Sequence, residues 1–100
     1  DLGDPVLAVA DGVVTYAGDR SGYGHVIEVD HGNGYVTRCA HNSRLSRRVG
    51  DLVRAGTEVA KAGSTGRSTG VHVHLEVWQN GAYVDPARFL HAGKPGMTRG

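Results

Sequence analysis

The sequence predicts an all-β fold, mainly an antiparallel sheet or sandwich with glycine-rich loops. Three observations support this. Apolar and polar residues alternate with a period of two in several short segments. The dipeptides Asp11-Gly12, Asn33-Gly34 and Asn80-Gly81 separate these segments and are typical of tight hairpin turns. No long stretch shows the 3.6-residue apolar rhythm of a helix.

Six strands are predicted, all rich in Val, Ile, Thr or Tyr. They are Pro5–Ala10, Gly12–Ala17, His25–Asp30, Tyr35–His41, Glu58–Ala62 and His72–Trp78. The best helical candidate is the short segment Pro86–His91, which Asp85 could cap. We expect one domain over residues 1–91, followed by a flexible tail over residues 92–100.

Composition and charge exclude several classes of protein. The net charge of +1 offers no concentrated basic face for a nucleic acid. The single cysteine, Cys39, excludes an internal disulfide and a cysteine-rich zinc site. No apolar run is long enough to predict a membrane span. Because the chain opens on Asp1 without a methionine, we expect it to be cut from a longer protein.

The six histidines raise the question of a metal site. His72 and His74 lie two residues apart on a predicted strand, so both leave the same face, about 6.6 Å apart at the backbone. Glu76 and Trp78 follow on that face. The opposite, core-facing stripe consists of Val71, Val73, Leu75 and Val77. Such a histidine pair can ligate one ion, or can supply one ligand and one acid/base group.

Two further groups extend this candidate site. His41 ends a predicted strand beside a polar loop, where functional sites are often built, and alternation places it on one face with Thr37 and Cys39. Asp1 adds a carboxylate, and carboxylate with imidazole suits Zn²⁺. We interpret Cys39 as a small buried apolar side chain. The remaining histidines are predicted to lie on the surface: His25, His31 and His91.

Several motifs resemble a known family. The run Gly63-Ser-Thr-Gly-Arg-Ser-Thr-Gly-Val-His-Val-His-Leu-Glu76 resembles the core of the lysostaphin/LytM-type zinc metallopeptidases of bacterial cell walls. In the same order, the chain also resembles this family over residues 5–14, 22–34, 40–41 and 49–56. The resemblance covers nearly the whole chain, from Asp1 to Leu90.

The resemblance implies a role for each candidate residue. His74 corresponds to a zinc ligand, and Asp1 to the aspartate ligand that ends the family's His-x-x-x-Asp element. His72 and His41 correspond to the two catalytic histidines, one taking a proton and the other steadying the oxyanion, in an order left open. The histidine of His-x-x-x-Asp would precede Asp1, so the domain is expected to be N-terminally incomplete. Asp1 also lies closer to the strand that begins at Pro5 than is usual in the family.

The implied function is that of a zinc-dependent endopeptidase that hydrolyses peptide cross-links of peptidoglycan. A D-alanyl–diamino acid bond is the preferred target and a glycine bridge the second. The implied partners are peptidoglycan peptide stems and regulators outside this chain, and the implied location is the periplasm or the extracellular cell wall. The alternative is a non-catalytic LytM-like regulator that binds or activates other cell-wall hydrolases.

A third, different class is a lipoyl- or biotinyl-type carrier, whose half-barrel repeat the segment Val49–Val59 resembles. A carrier needs a modified lysine at an exposed hairpin tip. Lys61 lies within a strand pattern and Lys94 in the tail, so neither fits this role.

Overall fold

A computed structural model describes residues 3–63 and 74–85 of the chain. In these two ranges the backbone forms eight β-strands and no helix. The strands are β1 (Pro5–Leu7), β2 (Gly12–Arg20), β3 (Gly24–Gly32), β4 (Tyr35–Leu45), β5 (Leu52–Val53), β6 (Glu58–Ala62), β7 (His74–Gln79) and β8 (Ala82–Val84). In the described residues, the structure has no helix that is long and apolar enough to cross a membrane.

All eight strands belong to one antiparallel sheet, which confirms the predicted fold class. The order along the main path is β1-β6-β4-β3-β2-β5, and β7 pairs with both β4 and β8. β4 therefore has three partners. Its first half pairs with β7, from Tyr35 to Ala40, and its second half pairs with β6, from Asn42 onward. The sheet forks at the residue between these halves, His41.

The predicted strands match the observed ones with differences at their ends. β6 has the predicted bounds, whereas β2, β3 and β4 are longer than predicted and β1 is shorter. β5 and β8 were not predicted, because strands of two and three residues carry no readable alternation. The predicted helix Pro86–His91 and the tail lie outside the described residues, as do the first two residues of the predicted strand His72–Trp78.

Two of the three predicted turns are hairpin turns. Asn33 and Gly34 have φ angles of 54° and 80°, and Asn80 and Gly81 have φ angles of 51° and 83°. Such consecutive positive angles match the twist of the strands that these turns join. Asp11-Gly12 differs, because Gly12 begins β2 and has no positive φ.

The hydrophobic core lies against one face of the sheet. Its buried members are small and branched side chains: Val6, Ala8, Val14, Ile27, Val29, Cys39, Val53, Val59, Ala60 and Ala62. Ala17, Leu45 and Leu75 pack against this cluster. Ile27, Cys39 and Leu75 occupy paired positions on β3, β4 and β7, so they cross the sheet side by side. The adjacent residues Glu28, Arg38 and Glu76 are therefore directed to the opposite face.

Candidate functional site

The fork of the sheet places His41 at an irregular position. On β3 His25 pairs with Asn42 and Ile27 pairs with Cys39, so β4 carries one extra residue between these pairs. His41 has a φ of 59°, which is uncommon for a residue with a side chain. This is a β-bulge, a feature that breaks alternation and redirects a side chain.

Because of the bulge, the observed orientation of the His41 side chain differs from the predicted one. Strict alternation would place its imidazole on the core face with Cys39. Instead, the ring stacks on Tyr23, with 6.5 Å between ring centroids and an interplanar angle of 27°. The His41 N–H also donates a 2.7 Å hydrogen bond to the carbonyl oxygen of Tyr23. Tyr23 in turn lies beside Arg38, on the face opposite the core. His41 therefore belongs to the polar face of the sheet.

Tyr23 was not identified from the sequence. It lies in the turn between β2 and β3, flanked by Gly22 and Gly24 with φ angles of 82° and 70°. These glycines let the backbone turn sharply on both sides of the tyrosine, which brings its ring to His41. The only signal in the sequence is the Gly-Tyr-Gly triplet itself, and such a triplet has no specific meaning without the fold.

A network of charged and aromatic side chains covers the polar face next to Tyr23 and His41. Arg38 donates from Nε to Glu28 at 2.7 Å and from Nη1 to Glu76 at 3.1 Å. The Trp78 indole N–H donates to the same Glu76 oxygen at 3.1 Å. Arg20 completes the group by donating to Glu28 at 3.3 Å. Burial of Arg38 opposes its charge, but the hydrogen bond to Glu28 and the nearby carboxylates outweigh burial and raise the pKa of Arg38.

The four predicted site residues differ in how far the structure describes them. The backbone of His74 pairs with Ala40, which places His74 next to the chain neighbour of His41. The side chain of His74 lies outside what the structure describes, as do Asp1 and His72. Within residues 3–63 and 74–85, no group of three or more His, Cys, Asp or Glu residues could hold a metal ion. The structure thus brings the His41 and His74 positions together and leaves the other two untested.

Cys39 is a packing residue, as predicted. It is 7% exposed, belongs to the core cluster, and forms no disulfide. Burial raises the pKa of the Cys39 thiol from 9.0 to about 12. A thiol with this pKa stays protonated at neutral pH, and a protonated thiol is neither a good nucleophile nor a good metal ligand.

The other described histidines make local contacts. The His31 ring lies between the carbonyl oxygen of Asp11, at 2.9 Å from Nδ1, and the Thr37 hydroxyl, at 2.8 Å from Nε2. A carbonyl oxygen only accepts, so Nδ1 carries the proton and neutral His31 accepts from Thr37 at Nε2. Both ring nitrogens are therefore engaged, and His31 connects the start of β2 to β4. His25 pairs with Asp19 and is partly exposed, in agreement with the predicted surface position.

Comparison with known proteins identifies the family. Peptidase family M23 matches residues 1–86, and the chain belongs to this family. The lysostaphin/LytM-type resemblance of the sequence is thereby confirmed. The catalytic domain of lysostaphin from Staphylococcus simulans has a similar structure, with a TM-score of 0.83 and 33% identity, over 90% of this chain and 72% of that one. A zinc-containing peptidase from Vibrio cholerae matches with a TM-score of 0.82 and 35% identity, over 85% of this chain and 26% of that one.

Two curated relatives bear different names. The DD-carboxypeptidase/endopeptidase Mpg of Neisseria meningitidis serogroup B is 48% identical over 84 residues, which is 84% of this chain and 19% of that protein. The murein hydrolase activator NlpD of Escherichia coli K12 is 39% identical over 89 residues, which is 88% of this chain and 23% of that protein. The chain thus spans about a fifth of the length of these relatives.

Proposed function

We propose that the chain is the catalytic domain of a zinc-dependent endopeptidase that hydrolyses peptide cross-links of peptidoglycan. The observation that carries the proposal is the fork of the sheet, where His41 adjoins the backbone pair of Ala40 and His74. Two of the four residues implied by the family pattern, His41 and His74, thus come from strands that meet at this fork. The 48% identity to a protein named an endopeptidase supports the same reaction.

The donor set proposed for the metal consists of His74 and Asp1, together with the histidine expected before Asp1. Imidazole and carboxylate are ligands that zinc accepts in catalytic sites, where three protein ligands leave one position open. When bound, zinc supplies an acidified water molecule and electrostatic stabilisation of developing negative charge. Cys39 is excluded from this set because it is buried in the core on the other face.

His41 and His72 are the proposed catalytic residues. The hydrogen bond from the His41 N–H to the Tyr23 carbonyl oxygen and the stacking of the two rings restrict the movement of the His41 imidazole. A group that exchanges a proton with a substrate must be held at a fixed position in this way. One of the two rings takes the proton of the attacking water at a ring nitrogen. The other, protonated, donates to the oxygen that becomes negative as the peptide carbonyl is attacked.

The test is digestion of purified sacculi by the full-length protein, with new free amines as the readout. We expect wild type to release them and His41→Ala and His74→Ala to release almost none. His31→Gln is the matched control, because His31 lies at the far end of β3 and glutamine can preserve a hydrogen bond to Asp11 or Thr37. Zinc-loaded wild-type protein that binds muropeptides and leaves them unchanged would rule out hydrolysis.

The second candidate is a non-catalytic regulator of other cell-wall hydrolases. It is favoured by the 39% identity to a protein named a murein hydrolase activator. Metal content discriminates between the two functions. Folded full-length protein purified without chelator should contain about one zinc ion per chain if it is the enzyme, and no stoichiometric zinc if it is the regulator.

Either function places the protein where peptidoglycan is, in the periplasm or the extracellular cell wall. The partners proposed are peptide stems of peptidoglycan and, for the regulator, a second hydrolase. The proposed domain extends over residues 1–91, and the family model matches residues 1–86 of the chain.

A further inference from the structure

Arg38 is the centre of the polar face of the sheet. Its side chain is 20% exposed and forms ion pairs with Glu28 on β3 and Glu76 on β7. Its guanidinium also lies 5.9 Å from the ring centroid of Tyr23 and 5.6 Å from that of Trp78. These four neighbours come from several positions in the sheet, so one side chain connects β3, β7 and the turn before β3.

These contacts reach both sides of the proposed site. On one side, Arg38 lies against Tyr23, and Tyr23 stacks on His41 and accepts its backbone N–H. On the other side, Arg38 binds Glu76, which lies two residues from His74 along β7. Arg38 itself pairs with Glu76 across β4 and β7, two positions along the strands from the pair formed by Ala40 and His74.

We propose that Arg38 is a positioning residue that fixes the Tyr23–His41 stack relative to the strand that carries His74. The inference rests on the proposed peptidase function of that site. The proposed role does not require Arg38 to contact substrate or metal. It acts through Tyr23 on the orientation of the His41 ring, and through Glu76 on the position of β7.

The chemistry of the side chain explains why arginine is suited to this position. A planar guanidinium can donate to two carboxylates in its own plane while its faces lie against aromatic rings. Lysine offers a point charge on a flexible stem, so it can keep an ion pair with Glu28 or Glu76 but cannot contact both carboxylates and both rings at once. We therefore expect Arg38→Lys to keep part of the positioning that is lost in Arg38→Met.

Arg20 provides a matched control. It donates to the same Glu28 oxygen, at 3.3 Å, and lies 4.4 Å from the Tyr16 ring centroid. In the described part of the chain, these contacts direct Arg20 toward β2 and β3 and away from β7. Arg20→Met thus removes a comparable cation from the same network without disturbing the proposed connection to His41.

The experiment measures kinetics on peptidoglycan and the His41 ring-proton chemical shifts of full-length, zinc-loaded protein with labelled histidine. For Arg38→Met we expect kcat to fall ~10–100-fold, the range typical of residues that orient a metal site, with KM nearly unchanged. The His41 ring signals should shift because the ring current of Tyr23 acts on them at a changed geometry. Arg38→Lys should recover part of both effects, and Arg20→Met should show neither.

Two results would overturn the inference. One is Arg38→Met with wild-type His41 signals, and the other is Arg20→Met with effects equal to those of Arg38→Met. If Arg38→Met does not fold, kcat and the His41 ring signals of Arg38→Lys and Glu76→Gln are compared with those of Arg20→Met instead. If the wild-type protein shows no hydrolysis, the proposed function fails, but the His41 signals still decide whether Arg38 orients that ring.

Discussion

His41 combines an unfavourable backbone with two local contacts. A non-glycine residue in the left-handed region costs about 1–2 kcal/mol. The φ of 59° is held by the 2.7 Å hydrogen bond to Tyr23 and by the pairs that flank the bulge, His25 with Asn42 and Ile27 with Cys39. Strain that the surrounding structure maintains is common at functional sites.

The positive φ of His41 predicts how substitutions at this position change stability. His41→Gly and His41→Ala both remove the imidazole, but only glycine adopts a positive φ without a steric penalty. We expect His41→Gly to be more stable than His41→Ala by about 1 kcal/mol, measured by denaturant unfolding. At the neighbouring Ala40, which has no positive φ, Ala40→Gly should instead be destabilising. An alanine variant of His41 as stable as the glycine variant would contradict the assigned conformation.

The buried thiol of Cys39 predicts how stability depends on pH. Its pKa is about 12 in the folded protein and 9.0 in a fully solvated thiol, so between these values the folded state holds a proton that the unfolded state has lost. The contribution is fully present below pH 9.0 and is lost as pH rises toward about 12. In this window the free energy of unfolding should fall by about 1.4 kcal/mol per pH unit because of this group.

The control for that measurement is Cys39→Val, which keeps an apolar side chain and has no proton to lose. The difference between the two proteins isolates the thiol from lysines and tyrosines that also titrate at high pH. Parallel stability curves for the two proteins between pH 9.0 and 12 would show that Cys39 is not buried as described. Native protein should also resist thiol alkylation at neutral pH, whereas unfolded protein should react.

At the scale of the elements, Gly12 is the first residue of β2 and pairs with Val53 of β5. A Cβ at this position would lie 2.5 Å from the carbonyl oxygen of Asp30 and 2.6 Å from Cγ1 of Val29. The sequence suggested a turn that needs positive φ at Gly12. The structure shows that close approach of β3 is the reason for glycine there. The neighbouring Asp11 carboxylate accepts from the Ala55 N–H at 2.7 Å, which anchors the short β5 region.

Gly12→Ala should therefore be destabilising, by about 1–3 kcal/mol, because overpacking against backbone forces the two strands apart. Gly18→Ala is the matched control on the same strand. Among the described residues, a Cβ there would meet only the Tyr16 side chain, at 3.7 Å or more, and glycine has no conformational advantage in a strand. Thermal unfolding of the two variants should separate them clearly. Equal stability would show that β2 and β3 do not approach as closely as described.

Of the strands that could be predicted, all but β1 are long enough to alternate, and β1 lies within the longer predicted segment Pro5–Ala10. Six of the eight were predicted, and the two missing ones, β5 and β8, have two and three residues. The bulge at His41 could not be predicted, because it follows from the register between β3 and β4 and has no local signal in residues 40–42. Family resemblance suggested the proposed roles of His41, His72, His74 and Asp1. The contacts of Tyr23 and Arg38 could be found only from the three-dimensional structure.

On the scale of the whole molecule, one sheet separates two environments. One face holds the apolar core with Cys39, and the other holds Arg38, its carboxylates and the His41–Tyr23 pair. The fork in β4 lies at the end of the polar face, so the sheet itself brings His41 to the strand that begins at His74. The match to peptidase family M23 over residues 1–86 covers all eight strands of this arrangement.

The most direct test of zinc-dependent hydrolysis is removal and return of the metal. Full-length protein stripped with a chelator should release no new free amines from purified sacculi, and adding one equivalent of zinc should restore release. His74→Ala should bind zinc far more weakly and regain no activity. Hydrolysis that persists in the stripped protein, or zinc-loaded protein that binds sacculi but never cleaves them, would contradict the proposed function.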